Sequence, residues 1–135
     1  MSRNKLVFEI DDAIIKVKVM APRDCGVYQF RNVSSTGKSR LCKILKDYET
    51  TGRPVAGYDY YDFKHNVDLE AVKGNGIKLI VLDRYDMYNG ELADTIRELS
   101  KEALVLLDCK TFPELDIPVL NASISMDEDC IYIDC

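Results

Sequence analysis

The sequence has little of the chemistry that metal centres and nucleophilic triads use. His65 is its only histidine, and no Ser or Cys nucleophile stands in a recognisable setting beside it, which argues against a catalytic triad. The five cysteines are odd in number and include no Cys-x-x-Cys pair. That pattern fits neither a disulfide framework nor a zinc site, so we expect reduced thiols in a cytoplasmic protein. The acidic turn at residues 127–129 also lacks the glycine and terminal glutamate of a calcium loop.

The chain also lacks a basic run and a long apolar run. Its 18 Lys and Arg residues are spread along the whole sequence, against 23 Asp and Glu, for a net charge of −5. A nucleic-acid-binding face therefore gets no support from the sequence. No stretch approaches the roughly 18 consecutive apolar residues of a membrane span. The first residues alternate charged and apolar side chains, unlike a signal peptide, so we expect no membrane association.

Length and composition describe one ordinary globular domain. The chain has 135 residues, of which 47% are hydrophobic and 30% charged, close to the averages of soluble domains. A domain of this length buries roughly two-thirds of its unfolded surface, which is enough for a real core. We therefore expect a single domain over residues 1–135, in which residues 1–25 form an N-terminal β-hairpin and a linker.

One stretch combines the features of a phosphate-binding loop, namely Asn32-Val33-Ser34-Ser35-Thr36-Gly37-Lys38-Ser39. Residues 26–31 before it are aromatic and β-branched, which predicts a strand. After it, apolar residues at positions 41, 44, 45 and 48 form the one-sided stripe of an amphipathic helix. A strand, a loop of small residues and a helix are the context that a phosphate-binding loop needs.

The chemistry of such a loop is local. Successive backbone N–H groups turn inward and form a concave anion site, to which the helix N-terminus adds its partial positive charge. Lys38 can then reach the β- and γ-phosphates of a nucleotide, and the Ser39 hydroxyl can ligate Mg²⁺. An ordinary polar turn between a strand and a helix is the alternative interpretation.

The stretch resembles the Walker A motif of the P-loop NTPase superfamily, in a small and divergent ATPase-like form. Asn32 stands where the motif usually has glycine. Asn tolerates a positive φ better than most residues, so the substitution weakens the match without excluding it. The resemblance implies that residues 32–39 and Arg40 contact the nucleotide and that Lys38 takes part in catalysis.

A second motif lies at Ile77-Lys78-Leu79-Ile80-Val81-Leu82-Asp83. A continuous apolar run that ends in Asp is typical of a strand buried on both faces of a parallel sheet. The run resembles the Walker B motif. Because ligands gather at the carboxyl edge of such sheets, this resemblance implies that Asp83 faces the Mg²⁺ held by Ser39.

The residues after Asp83 leave the catalytic chemistry open. Many P-loop ATPases have a water-polarising Glu directly after the Walker B Asp, whereas this chain has Arg84. Asp86 is the nearest carboxylate that could replace it. Asp83-Arg84-Tyr85 is also similar to a motif of thymidylate-kinase-like enzymes, in which the Arg meets the acceptor's phosphate. Asp108 ends a further apolar strand and could sense the γ-phosphate.

The remaining pattern predicts an α/β fold. Residues 5–20 have the alternating apolar and polar pattern of a β-hairpin. Residues 55–63 and 104–108 are predicted core strands, and residues 91–103 carry the apolar stripe of a helix. Strand–helix–strand alternation favours a mostly parallel sheet flanked by helices, entered by the N-terminal antiparallel hairpin. Two short strands around residues 127–129 would close the chain as another hairpin.

The function that these patterns favour is Mg²⁺-dependent binding of a purine nucleotide, with slow or no hydrolysis. ATP is favoured over other nucleoside triphosphates because no Asn-Lys-x-Asp guanine-reading motif occurs after the loop. Hydrolysis should be slow because the water-activating Glu is missing. The alternatives are a non-catalytic, P-loop-derived interaction or regulatory module with a protein partner, and a minimal nucleotide or nucleoside kinase.

Overall fold

The fold is known from a computed structural model that describes residues 4–11, 16–30, 41–45, 55–58, 76–85, 93–109 and 115–135. Of these residues, 55% lie in strands and 16% in helices. Residues 41–45 are helical. The other elements, in chain order, are β1 (Lys5–Asp11), β2 (Lys16–Ala21), β3 (Gly26–Phe30), β4 (Val55–Tyr58), β5 (Leu79–Leu82), α1 (Ala93–Leu99), β6 (Leu104–Leu107), β7 (Val119–Asp127) and β8 (Cys130–Asp134).

All the described strands belong to one sheet in the order β1-β2-β8-β7-β3-β6-β5-β4. Five strands that lie side by side, β7, β3, β6, β5 and β4, are parallel to one another. Two antiparallel pairs, β1 with β2 and β7 with β8, form the rest of the sheet. These two pairs are joined by the parallel pairing of β2 with β8. The sheet as a whole curls into a half-barrel.

Each face of the sheet carries its own apolar cluster, because successive residues of a strand point to opposite faces. The first face packs against Leu41 and Leu45 of the helical residues 41–45, and its cluster extends as far as Ile10 of β1. The second face packs against Ile96 and Leu99 of α1. Burying one such Leu or Ile side chain contributes about 1.5–3 kcal/mol, so these two clusters hold the sheet together.

The predicted fold class, a mostly parallel sheet flanked by helices, is wrong. The described residues form a mixed, curled sheet of eight strands with few helical residues. The error has a physical cause. Local periodicity identifies strands, but it does not reveal that β2 pairs with β8, whose residues lie more than a hundred positions later in the chain. That pairing joins the hairpin of β1 and β2 to the sheet instead of leaving it as an appendage, and the pairing of β7 with β3 joins the closing hairpin.

Several individual elements are where the sequence pattern predicts them. The apolar run at residues 77–83 contains β5, all four residues of which are buried. Residues 104–108 contain β6, which is equally buried and lies between β3 and β5. The closing hairpin is present as β7 and β8.

Other predicted elements are shorter or fall outside the described residues. The helix predicted over residues 91–103 is described over Ala93–Leu99, and the Ser100 N–H donates to the Ile96 carbonyl at 2.9 Å as it ends. The strand predicted over residues 55–63 is described only as β4, and residues 59–63 lie outside the described part of the chain. Within the described ranges, no helix has both the length and the apolar character needed to cross a membrane.

Candidate functional site

The carboxyl ends of four parallel strands meet at one edge of the sheet. Tyr58 of β4 is level with Leu82 of β5, and Leu82 is level with Leu107 of β6. Leu107 is in turn level with Gln29 of β3. The carboxyl ends of β3, β4, β5 and β6 therefore form one continuous edge of the sheet.

The chain connections reverse direction at this edge, between β3 and β6. After β3 the chain continues to β4, which lies beyond β6 and β5 in the sheet. After β6 it continues in the opposite direction to β7, on the other side of β3. In open sheets with parallel strands, ligands bind outside the carboxyl ends where the direction of the connections reverses. β3, which precedes residues 31–40 in the chain, lies at this reversal.

Two carboxylates stand side by side at the same edge. Asp83 follows β5 and Asp108 follows β6, and hydrogen bonds continue the ladder past both strand ends. The Asp83 N–H donates to the Tyr58 carbonyl at 2.8 Å, and the Asp108 N–H donates to the Leu82 carbonyl at 2.9 Å. Because neighbouring strands lie about 4.8 Å apart, the two aspartates are adjacent. Asp108 is buried, with 9% of its surface exposed, and Asp83 is half-buried.

Alternation along the strands assigns both aspartates to the first face. Val81 and Leu106 belong to the first-face cluster, and Asp83 and Asp108 each lie two residues further along. Since residues i and i+2 of a strand share a face, the aspartates lie on the side against which the helical residues 41–45 pack. The carboxylates and the flanks of the predicted phosphate loop thus share one edge and one face.

Arg84 interrupts the ladder between the two strand ends. In a regular parallel ladder, its N–H would donate to the carbonyl of Asp108, but the N–H of Tyr85 does so instead, at 2.7 Å. Arg84 has a φ of 54°, in the left-handed region that non-glycine residues seldom adopt. The pattern is that of a one-residue bulge, a device that redirects a side chain at the end of a strand. Because of the bulge, the half-buried Arg84 does not follow the regular alternation of side chains between the two faces of the sheet.

The backbone conformation at Arg84 leads to a stability prediction. Arg84→Gly should give a protein about 1 kcal/mol more stable than Arg84→Ala, since glycine adopts a positive φ without steric cost. Comparing the two variants with each other removes the contribution of the arginine side chain. Urea denaturation of both variants gives the difference directly. Equal stabilities would contradict the left-handed conformation at this position.

Tyr85 anchors the bulge from the second face. Its side chain is 3% exposed and belongs to the second-face cluster. Burial, and to a smaller extent the nearby Cys109 thiol, raises the pKa of Tyr85 to about 12. The ring therefore stays neutral over the whole physiological range. Its burial anchors the backbone that follows β5, where the Tyr85 N–H donates to the Asp108 carbonyl.

The helical residues 41–45 approach β4 closely at Gly57. A Cβ atom at position 57 would lie 2.5 Å from the backbone carbonyl oxygen of Cys42. Only glycine allows the helical backbone to pack so near the strand. An isolated glycine inside a strand often marks such an approach, and this is the signal in the sequence that would have identified the contact. The contact fixes the helical residues that follow the predicted phosphate loop.

The predicted site residues divide into two groups. One group lies outside the described residues. It consists of Asn32 to Ser39, which include Lys38, together with Arg40 and the candidate catalytic residue Asp86. Asp83 is described at the carboxyl edge, and Asp108 is its neighbour there. The sequence placed both residues at strand ends, but only the strand order makes them adjacent. The left-handed conformation of Arg84 has no signal in the sequence, because arginine does not favour it.

Among the described residues, no group of three or more His, Cys, Asp or Glu side chains is arranged to hold a metal ion. The five cysteines, all of them described, form no disulfide bond. No family model, curated protein or solved structure matches this chain.

Proposed function

We propose that this chain binds a nucleoside triphosphate, ATP in the first place, together with Mg²⁺ at the carboxyl edge of the sheet. One observation carries the proposal. The Gly37-Lys38-Ser39 stretch follows β3 in the chain, the strand at which the chain connections reverse, and Asp83 directly follows a strand on the same edge. The strand that precedes the phosphate-loop sequence and the strand that precedes this carboxylate thus share one edge of the sheet, although the two are far apart in the chain.

The residues present fit the chemistry of a magnesium nucleotide. Mg²⁺ takes oxygen ligands, commonly one or two carboxylates together with substrate phosphates, and Asp83 supplies a carboxylate while Ser39 supplies a hydroxyl. Residues 32–39 and Arg40 would hold the phosphates, with Lys38 neutralising the β- and γ-phosphate charge. When bound, the metal ion would neutralise charge on the phosphate oxygens. Arg84, in the place of the usual Glu, favours slow hydrolysis.

Ligand-induced stabilisation tests the proposal. ATP with Mg²⁺ should raise the free energy of unfolding by about 2.7 kcal/mol at a hundred times its dissociation constant. Lys38→Ala should remove most of this increase and leave the melting temperature of the protein without nucleotide unchanged. Lys101→Ala is the matched control, since Lys101 is 69% exposed just after α1 and should have no effect. Equal stabilisation of wild type and Lys38→Ala would refute the phosphate-loop assignment.

The metal is tested separately through Asp83. Asp83→Asn keeps the shape of the side chain and removes its charge. We expect it to weaken ATP binding at least tenfold in magnesium, equivalent to about 1.4 kcal/mol, and to have little effect in EDTA. Isothermal titration under the two conditions gives both dissociation constants. A similar loss of affinity with and without magnesium would show that Asp83 does not act through the metal.

A second candidate is a non-catalytic interaction module, and one observation favours it. Four large apolar side chains of the described residues are markedly exposed, on strands β1, β7 and β8: Leu6, Leu120, Met126 and Tyr132. Exposed apolar side chains contribute to the surfaces through which proteins contact one another. A chain of this class would show no magnesium-dependent affinity for ATP in the titration above, which distinguishes the two candidates.

A further inference from the structure

An open hollow of about 760 Å³ lies over β2, β8 and β7, which are neighbours in the sheet. Its volume is within the range of sites that hold small organic molecules. These strands bury Val19, Ile124 and Ile133 in the first-face cluster, so the residues that alternate with them point to the second face. The side chains that line the hollow from the second face, together with Asn4 before β1, are Met20, Ser123, Ser125, Tyr132 and Asp134.

The charge of this hollow is negative. Asp134 is the one acidic side chain that lines it, and no Lys, Arg or His among the described residues does so. Lys18 is level with Tyr132 but lies outside the lining, and it stands opposite Glu9 of β1, which carries the opposing charge. An anionic ligand would therefore meet an unopposed carboxylate in the hollow, whereas a cationic ligand is complementary to it.

Oxygen atoms of the lining are grouped around Asp134. Ser123 of β7 is directly opposite Asp134, and residues opposite each other in an antiparallel pair have Cβ atoms about 5 Å apart. The Asn4 side-chain amide donates to the Asp134 carboxylate and to the Cys135 carbonyl, which restrains the carboxylate. A carboxylate, a hydroxyl and an amide oxygen can together accept the three hydrogen bonds that a primary ammonium donates.

Apolar surface lies next to this group of oxygen atoms. Met20 of β2 is level with Asp134, on a neighbouring strand about 4.8 Å away. Tyr132 lies two residues before Asp134 on the same face, about 6.8 Å along β8, and is 42% exposed. An aromatic ring attracts a cation that lies over its face. The two side chains thus offer an apolar surface to the alkyl chain of an amine whose ammonium lies at Asp134.

We propose that this hollow binds a small organic amine, with its ammonium at Asp134 and its alkyl chain against Tyr132 and Met20. The site goes beyond the proposed nucleotide binding, because it lies on other strands than Asp83 and Asp108 and on the opposite face of the sheet. A neutral saccharide would use the same hydroxyl groups but would gain no attraction from the carboxylate. The charge of the ligand is therefore the property to test.

Two matched probes test the charge. Butylamine carries an ammonium at neutral pH, and 1-butanol has the same alkyl chain without the charge. In a titration followed by ¹H–¹⁵N NMR, we expect butylamine to shift the backbone amide signals of residues 123–125 and 132–134 in a saturable way. The same concentration of 1-butanol should leave them nearly unchanged. Equal shifts with the two probes, or butylamine shifts confined to other residues, would overturn the proposal.

The role of the carboxylate is tested with Asp134→Asn, which keeps the shape of the side chain and can still accept from Asn4. We expect it to weaken butylamine binding about fivefold, the upper end for an exposed charge pair. Asp116→Asn is the matched control, because Asp116 lies before β7 with its side chain 92% exposed, and it should leave the affinity unchanged. An equal loss in both variants would show only a general attraction to the net charge of −5 and would overturn the site.

The aromatic ring is tested with Tyr132→Leu, which keeps an apolar side chain and removes the π-system. We expect butylamine to bind this variant about two- to fivefold more weakly, and an unchanged affinity would overturn the placement of the amine against the ring. Methyl glucoside tests the saccharide alternative. Binding of methyl glucoside that is tighter than that of butylamine and survives Asp134→Asn would overturn the amine assignment. Circular dichroism of each variant verifies the fold, which these exposed positions should not disturb.

Discussion

Gly57→Ala should lower the free energy of unfolding by about 1–3 kcal/mol, the usual cost of inserting a methyl group where there is no space. The new Cβ would lie 2.5 Å from the Cys42 carbonyl oxygen and 3.1 Å from the Cys42 Cα. Both are backbone atoms of the helical residues 41–45, so a rotamer change does not relieve the contact. The helical backbone has to move away from β4. Urea denaturation of the wild type and the variant measures the loss.

Two control variants make this prediction specific. Gly76 has a φ of +72°, and no atom of the described residues beyond its chain neighbours lies within 4 Å of the place that a Cβ would take. Gly76→Ala therefore reports the backbone cost alone, about 1 kcal/mol. Cys42→Ala combined with Gly57→Ala should not restore stability, because the contact is with the carbonyl and not with the thiol. If the double variant regained wild-type stability, the clash would be with the side chain and not with the backbone.

Gly57→Ala should also affect the proposed site. The helical residues 41–45 directly follow residues 32–40, so a displaced helix changes the end of the predicted phosphate loop. We expect weaker ATP stabilisation in Gly57→Ala than in Gly76→Ala at equal nucleotide concentration. Undiminished ATP stabilisation would mean that the helix position does not matter for binding.

The second large effect is a loss of stability at alkaline pH. Burial raises the pKa of the Cys135 thiol from 9.0 to about 12, with the Asp134 charge adding to the shift. Burial likewise raises the pKa of Tyr85 from 10.0 to about 12. Both groups are neutral when protonated and ionise more readily in the unfolded chain. Their contribution to stability is therefore complete below the unfolded pKa values and is lost as the pH rises toward about 12.

The size of this effect follows from proton linkage. Between the unfolded and the folded pKa, each group lowers the free energy of unfolding by up to about 1.4 kcal/mol per pH unit. The urea midpoint, measured from about pH 8 upward, should begin to fall when the Cys135 thiol ionises in the unfolded chain. It should fall more steeply at the higher pH at which Tyr85 also ionises there. Tyr85→Phe should reduce the steeper fall of the urea midpoint at the higher pH, and Cys135→Ala should reduce the fall that comes earlier. Stability that rose over this range would contradict both shifts.

The sequence by itself determined those features that depend on neighbouring residues. The apolar runs around residues 79–82 and 104–107 identify buried strands because four successive apolar side chains are stable only where both faces of a strand are covered. The alternating patterns of residues 119–134 likewise identify β7 and β8. The Gly37-Lys38-Ser39 stretch between a strand and a helix identifies a candidate phosphate loop, since its chemistry requires only adjacent backbone groups and two side chains.

Only the tertiary structure decided which of these elements meet. The parallel pairings of β2 with β8 and of β7 with β3 turn two hairpins and a parallel sheet into one curled sheet. The insertion of β6 between β3 and β5 places Asp108 beside both Asp83 and the end of β3. The bulge at Arg84 and the close contact at Gly57 also depend on partners distant in the chain. Strand pairing is set by the sum of many weak side-chain contacts over the whole sheet, and no local pattern contains that sum.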